Sequence, residues 1–186
     1  MKKLVTFVFY MLMVLFMSAP FSGTAEAAYV AVVPIDIDTA KVERASDLTS
    51  YYWDLIVEKF KYPEYELLDD DKVAAALPDD GLKTFDQATL AGIAEKLGAE
   101  VVVAMRITEV KETPKSFLRE PAVLCHMKGE FASLNTMRDK KPYYNNKFNY
   151  DEQIEAILTV RNDWLQNAFA YYTRRGINRT MDLNKK

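Results

Sequence analysis

The sequence predicts an α/β (α+β) fold: a mixed sheet of about five strands, parallel in its first half and an antiparallel meander in its second, covered by about four helices. Three observations carry this. Short apolar runs in the first half are separated by stretches of helical spacing, which implies parallel pairing through crossovers. The run Gly98-Ala99-Glu100-Val101-Val102-Val103-Ala104-Met105-Arg106-Ile107-Thr108-Glu109-Val110 is at first continuously apolar and alternates from Met105. That is the pattern of a central strand passing from a sheet covered on both faces to one covered on a single face. In the second half, extended runs follow one another with no helix between them, as in a meander.

Residues 1 to 27 read as a signal peptide. Lys2 and Lys3 precede an apolar stretch from Leu4 to Met17, and Ala25-Glu26-Ala27 supplies small residues for cleavage before Ala28. The apolar stretch is too short to span a bilayer, and Pro20, Ser22 and Gly23 break it. No cysteine lies near the cleavage point, which excludes a lipid-modified amino terminus there. The expected product is a soluble periplasmic or extracellular chain, with a single domain over 28–177 and a frayed tail over 178–186.

Within that domain, Tyr29 to Pro34 is an apolar run ended by proline, read as a buried strand. Asp36 to Arg44 reads as polar connection. Asp47 is placed to cap a helix to Phe60, with Leu48, Tyr52, Leu55, Ile56 and Phe60 on one face. Tyr65 to Leu68 is a short strand, and Asp69, Asp70 and Asp71 open a short helix at the end of the dipole that favours negative charge. Thr84-Phe85-Asp86-Gln87 has capping-box spacing ahead of Leu90, Ile93, Ala94 and Leu97, and Gly98 ends that helix.

After the central strand, Lys111 to Pro121 reads as polar connection and Ala122 to Met137 as extended chain with a bulge at Gly129. Arg138 to Pro142 reads as a hairpin turn. Tyr143 to Tyr150 returns as a strand, with Tyr144, Asn146, Phe148 and Tyr150 on one face and Tyr143, Asn145, Lys147 and Asn149 on the other. Asp151 or Asn149 is then expected to cap the longest helix, which carries Ile154, Ile157, Leu158, Trp164, Leu165, Ala168, Phe169 and Tyr172 and ends at Gly176.

The net charge of −3 offers no electrostatic footprint for nucleic acid or anionic lipid. Cys125 is the single cysteine, so a disulfide within the chain is excluded. Cys125 and His126 set the one thiol beside the one imidazole, but neighbours on a strand point to opposite faces and no orienting acid is identifiable in the sequence. Asp36 and Asp38 follow the first strand, where α/β folds bind ligands, yet turn and capping roles account for them. Asp69 to Asp71 with Asp79 and Asp80 lack the spacing of a calcium loop. No phosphate-binding, dinucleotide, zincin, nucleophile-elbow or CxxC motif occurs. No catalytic residue, cofactor or metal is expected. The strip Tyr143 to Tyr150 combines aromatic and amide side chains of the kind that stack on sugars or form protein contacts.

Val30-Ala31-Val32-Val33-Pro34, then Tyr65-Glu66-Leu67-Leu68-Asp69 with Val73 and Ala76-Leu77, then Leu90-x-x-Ile93-Ala94-x-x-Leu97-Gly98-Ala99-Glu100 and the following valines carry a resemblance. This order resembles the α/β domain shared by the curli-secretion CsgG family and the amino-terminal domain of TolB. The resemblance implies a noncatalytic envelope module that contacts a protein partner or self-associates. Its expected edge is Tyr143, Tyr144, Asn145 and Lys147. The alternative is a periplasmic small-ligand or carbohydrate binder, and a third reading is a hydrolase using Asp36, Asp38 or His126.

Overall fold

The computed structural model describes residues 27–42, 44–116, 121–138, 140–155 and 163–181. The expected signal peptide lies outside these residues but for Ala27, as do Ile157 and Leu158. The described residues form a mixed α/β sheet of six strands: β1 (Ala28–Val32), β2 (Asp36–Ile37), β3 (Tyr65–Leu67), β4 (Val101–Ser116), β5 (Pro121–Asn135) and β6 (Tyr143–Glu155). Its order is β3-β1-β4-β5-β6, with β2 also on β4. The pairs β1/β3, β1/β4 and β2/β4 are parallel, and β4/β5 and β5/β6 are antiparallel.

Among the described residues four helices cover it: α1 (Ala45–Lys59), α2 (Asp70–Ala76), α3 (Gln87–Leu97) and α4 (Trp164–Met181). Val101 through Met105 are fully buried because both faces of the sheet are covered there. Val101, Val103 and Met105 pack with Leu48, Tyr52 and Ile56 of α1 and Leu165 and Phe169 of α4. Val102 and Ala104 pack on the other face with Val73 of α2 and Leu90, Ile93 and Ala94 of α3. Gly98 ends α3 at φ 65, a left-handed backbone that glycine adopts without strain.

Several local expectations are corrected. Asp36 to Arg44 is not plain connection: β2 pairs with Arg106 and Ile107, and Val42 bridges to Val110, so the chain continues alongside β4 after Pro34. The first helix starts after Arg44, and Asp47 sits in its first turn, accepting from Arg44 Nε at 2.7 Å. Asp86 caps α3 rather than Thr84: its Oδ1 accepts from Thr89 N at 2.8 Å, and Thr84 donates to its other oxygen at 2.6 Å. The bulge expected at Gly129 lies on the opposite strand, between Ile107 and Glu109.

Lys111 to Ser116 is also strand rather than connection. β5 supplies its ladder, and Pro114 is tolerated because its position faces away from β5: Val110 N donates outward to Lys41 O at 3.2 Å, and alternation carries Glu112 and Pro114 to that same side. Residues 151–155, expected as the opening of a helix, continue β6. Ile154 is buried opposite Val123, so Ala122 to Leu124 captured a stretch whose apolar spacing also suited a helix.

The last helix does not stop at Gly176, and residues 178–181 are not frayed. A Cβ at Gly176 would lie 2.1 Å from the Phe131 ring, so this glycine is the point of closest approach between α4 and the sheet rather than a stop signal. The end of α4 is held from β5 and the turn after it. Ser133 Oγ lies 2.8 Å from Thr180 Oγ1, Asn135 Nδ2 donates to Thr180 O at 3.4 Å, and Arg138 donates to Met181 O at 3.2 Å. These contacts satisfy groups that a helix terminus leaves unpaired.

Candidate functional site

Among the described residues β6 ends the sheet, and its pairing shows which of its backbone groups face outward. Asn135 N donates to Pro142 O at 2.9 Å, which makes that a hydrogen-bonded pair of the β5/β6 ladder. The register continues without a shift from Leu134 opposite Tyr143 to Ala122 opposite Glu155. Hydrogen-bonded pairs alternate in an antiparallel ladder, so Tyr144, Asn146, Phe148, Tyr150, Glu152 and Ile154 bond to β5. The outward N–H and C=O groups belong to the odd-numbered residues, from Tyr143 to Glu155.

The side chains divide the same way. On the α4 face, Phe148 stacks on Tyr172 with centroids 4.1 Å apart, Tyr150 stacks on Trp164 at 6.0 Å, and Tyr144 lies 6.5 Å from Phe131. On the opposite face, Tyr143 Oη and Asn145 Nδ2 both donate to Phe85 O, at 2.7 and 3.0 Å, which ties the start of β6 to the loop before α3. Lys147 is exposed and has no ion pair among the described residues. Of the four residues expected at a contact edge, Tyr143, Asn145 and Lys147 therefore offer outward backbone groups. Tyr144 is turned to β5.

Beyond Arg106, no described helix covers this second face. It carries Glu109, Lys111, His126, Lys128, Lys147, Asn149 and Asp151, with an open concavity of about 440 Å³ lined by Arg106, Lys128, Glu130 and Lys147. Arg106 is committed within it: its Nε donates to Asp36 at 2.5 Å, and its other nitrogens donate to Leu82 O and Lys83 O.

His126 gains acidic neighbours that the sequence did not place beside it. Asp151 lies opposite in register, with His126 Nδ1 to Asp151 Oδ1 at 2.5 Å, and Glu109 Oε2 is 3.6 Å from Nε2. Lys128 donates to Glu109 at 3.1 Å and holds its carboxyl below the usual range. Cys125 points to the opposite face and is buried. Burial, then the negative charges of Glu112 and Glu152, push its thiol up to about 11. The thiol and imidazole are thus neither in contact nor matched as nucleophile and base.

The acidic candidates have structural partners. Asp36 pairs with Arg106, and Asp38 closes a turn by accepting from Ala40 N and Lys41 Nζ. Asp69 caps α2, Asp70 and Asp71 fill its first turn, and Asp79 and Asp80 are exposed. Among the described residues no three His, Cys, Asp or Glu side chains converge on a metal-holding geometry, and no helix is long and apolar enough to cross a membrane.

No protein-family model and no curated protein sequence matches the chain. Similar solved structures include the hypothetical protein CT253 from Chlamydia trachomatis, at 18% identity over 70% of this chain and 74% of that one, with a TM-score of 0.43. They also include lipoprotein GNA1162 from Neisseria meningitidis, at 13% identity, coverage of 77% and 99%, and a TM-score of 0.41. The LpoB C-terminal domain from Escherichia coli is similar at 14% identity, coverage of 68% and 84%, and a TM-score of 0.38. These neighbours are not the CsgG and TolB groups that the sequence pattern resembles. Likeness this distant carries no argument about function.

Proposed function

We propose that this chain is an exported, noncatalytic cell-envelope module that works by protein contact through the free edge of β6, within a domain of the CsgG-like or TolB-like kind. The observation that carries the reading is the edge itself. A 13-residue strand ends the sheet with its odd-numbered backbone groups unpaired among the described residues and no proline within it. Such an edge is a template for another strand unless it is blocked. Export rests on the pattern of residues 1 to 27, and intact mass of secreted material still carrying them would overturn that part.

The test uses the chain from Ala28 and a variant, Asn149→Pro, which removes one outward N–H and leaves the ladder to β5 in place. Tyr143 and Asn145 are poorer targets because both hold Phe85. The wild type should show association by light scattering or capture from envelope extract, and the variant should lose it. Equal association in both would overturn the reading.

The second reading, a small-ligand or carbohydrate binder, is favoured by the open concavity beside Lys147. The strip is less suited to sugars than its sequence implies, since the rings of Phe148 and Tyr150 already stack on α4. A chain that stays monomeric, captures nothing and melts higher with sugars or divalent cations would replace the contact reading with this one.

A further inference from the structure

We infer that the partner of β6 is a second copy of this chain, paired antiparallel about a twofold axis at Asn149. This rests on the contact reading above and adds the partner and the register. The outward groups belong to odd-numbered residues, so a symmetric antiparallel neighbour must set odd residues against odd. That restricts the registers to steps of two.

The register with full overlap of Tyr143–Glu155 sets Asn149 against itself. It also sets Lys147 against Asp151 of the second copy, Asn145 against Gln153 and Tyr143 against Glu155. On the α4 face it sets Phe148 against Tyr150, Tyr144 against Ile154 and Asn146 against Glu152. No like charges meet.

The neighbouring registers are worse in charge as well as in overlap. One step either way sets Lys147 against Asn149 or Gln153 and removes both ion pairs. Two steps set Lys147 against itself in one direction; in the other they set Lys147 against Glu155 but Asp151 against itself at the axis, and like charges directly opposite destabilise a strand pair. Maximal overlap and charge complementarity thus select the same register.

The axis also passes between the two aromatic stacks of each copy. Phe148 on Tyr172 and Tyr150 on Trp164 flank Asn149 on the α4 face, so pairing joins them to the same stacks of the second copy. Tyr171, 57% exposed and edge-on to Tyr172, lies on that face as well. The product is one continuous sheet with the α4 helices of both copies on one side.

Charge reversal tests the register. Lys147→Asp alone and Asp151→Lys alone should each weaken dimerisation about 10-fold or more, because two symmetric pairs turn repulsive. An equimolar mixture of the two variants restores opposite signs at both positions and should form a heterodimer by light scattering. Asp151→Lys also removes the His126 contact, so a second variant reads the register without it. Asn149→Cys should give a disulfide-linked dimer under mild oxidation, since a hydrogen-bonded antiparallel pair holds its Cα atoms about 5.5 Å apart, within disulfide reach. The wild type, whose Cys125 is buried, should give none.

A wild type that remains monomeric at high concentration, or a folded Asn149→Cys chain that does not cross-link, overturns the inference. If that monomer still captures another envelope protein and Asn149→Pro abolishes the capture, self-pairing fails and the contact reading stands. Association indifferent to Asn149→Pro removes both.

Discussion

The two halves of the sheet are built from one strand, β4, and differ in what they leave unspent. Between Val101 and Met105, β4 has strands on both sides and helices on both faces, and every side chain there is buried. Beyond the bulge at Ile107/Glu109 the α2/α3 face is uncovered, and Glu109, Lys111, His126, Lys128 and Asp151 replace the aliphatic side chains. At its own end the parallel half offers only the three-residue edge of β3. The antiparallel half keeps a polar face and, on β6, a row of backbone groups that are unpaired among the described residues. The other open edge in this half, β4 beyond Val110, is guarded by Pro114, whose ring occupies an outward position. β6 has no such guard within the strand.

The largest expected effect strikes where the covered parts meet. Phe131 is fully buried, lies under Gly176 and stands near Tyr144. Phe131→Ala should cost about 3–5 kcal/mol in urea unfolding, the usual range for removing a buried ring. The same change should lower association only in proportion to the unfolded fraction. Loss of association in fully folded Phe131→Ala protein would mean that the two halves are not separable.

Gly129 is the joint between the halves. A Cβ there would meet Arg106 O and the Phe148 ring at 2.5 Å and Ile107 at 2.9 Å. The backbone oxygen cannot be moved as a side-chain tip can, so Gly129→Ala should cost about 2–3 kcal/mol through overpacking. It should also disturb Phe148 on β6. A cost below about 0.5 kcal/mol, within the scatter of ordinary surface changes, would show that β4 and β5 approach less closely at the bulge.

How much of this was legible follows the same division. In the first half, Leu90, Ile93, Ala94 and Leu97 recur at helical spacing and Gly98 stops the helix, so periodicity and a stop signal agreed. In the second half, the polar stretch Lys111 to Ser116 gives no strand signal of its own. It is held by pairing to a distant segment, which local periodicity does not encode. Ile154 with Ile157 and Leu158 had helical spacing, and only the register with Val123 made Ile154 a strand residue. Gly176 looked like a helix stop because a glycine's need for a neighbouring ring is invisible without Phe131. The alternation of Tyr143 to Tyr150 was readable. That Asp151 would stand beside His126, and that odd residues would carry the free backbone groups, depended on register.

Cys125→Ser is expected to have a smaller effect than either core change and sharpens the contrast between faces. The residue lies on the α4 side, packed in the core, while His126 beside it faces the polar side. Placing a hydroxyl there should cost about 1–2 kcal/mol of stability and leave association unchanged. His126→Gln should alter stability still less and also leave association in place. Complete loss of association in folded His126→Gln would give the polar face a part in binding that the edge alone does not explain, and the same loss in folded Cys125→Ser would give the core beneath α4 that part.

The smallest predicted effect is a pH dependence confined to the covered side. Asp163 precedes α4 and accepts from Arg44 at 3.0 Å, from Gln166 N at 3.2 Å and from the Tyr51 hydroxyl, linking the start of α4 to α1. Partial burial raises its pKa, but the Tyr51 and Arg44 hydrogen bonds outweigh burial, and the net shift is downward. A carboxyl with a depressed folded pKa contributes stability that is fully present above its unfolded value of about 3.9 and is lost as pH falls through the folded value. Wild-type stability should therefore fall more steeply than that of Asp163→Asn below about pH 5, with a difference of no more than about 1 kcal/mol, as for a partly exposed ion pair. Dimer mass measured over the same range should not distinguish the two proteins, because Asp163 lies on the rim between α1 and α4 and not on β6. Parallel stability curves would show that Asp163 contributes nothing to the link between the helices. A variant-specific loss of dimer before unfolding would tie that rim to the edge and end the separation of the two regions.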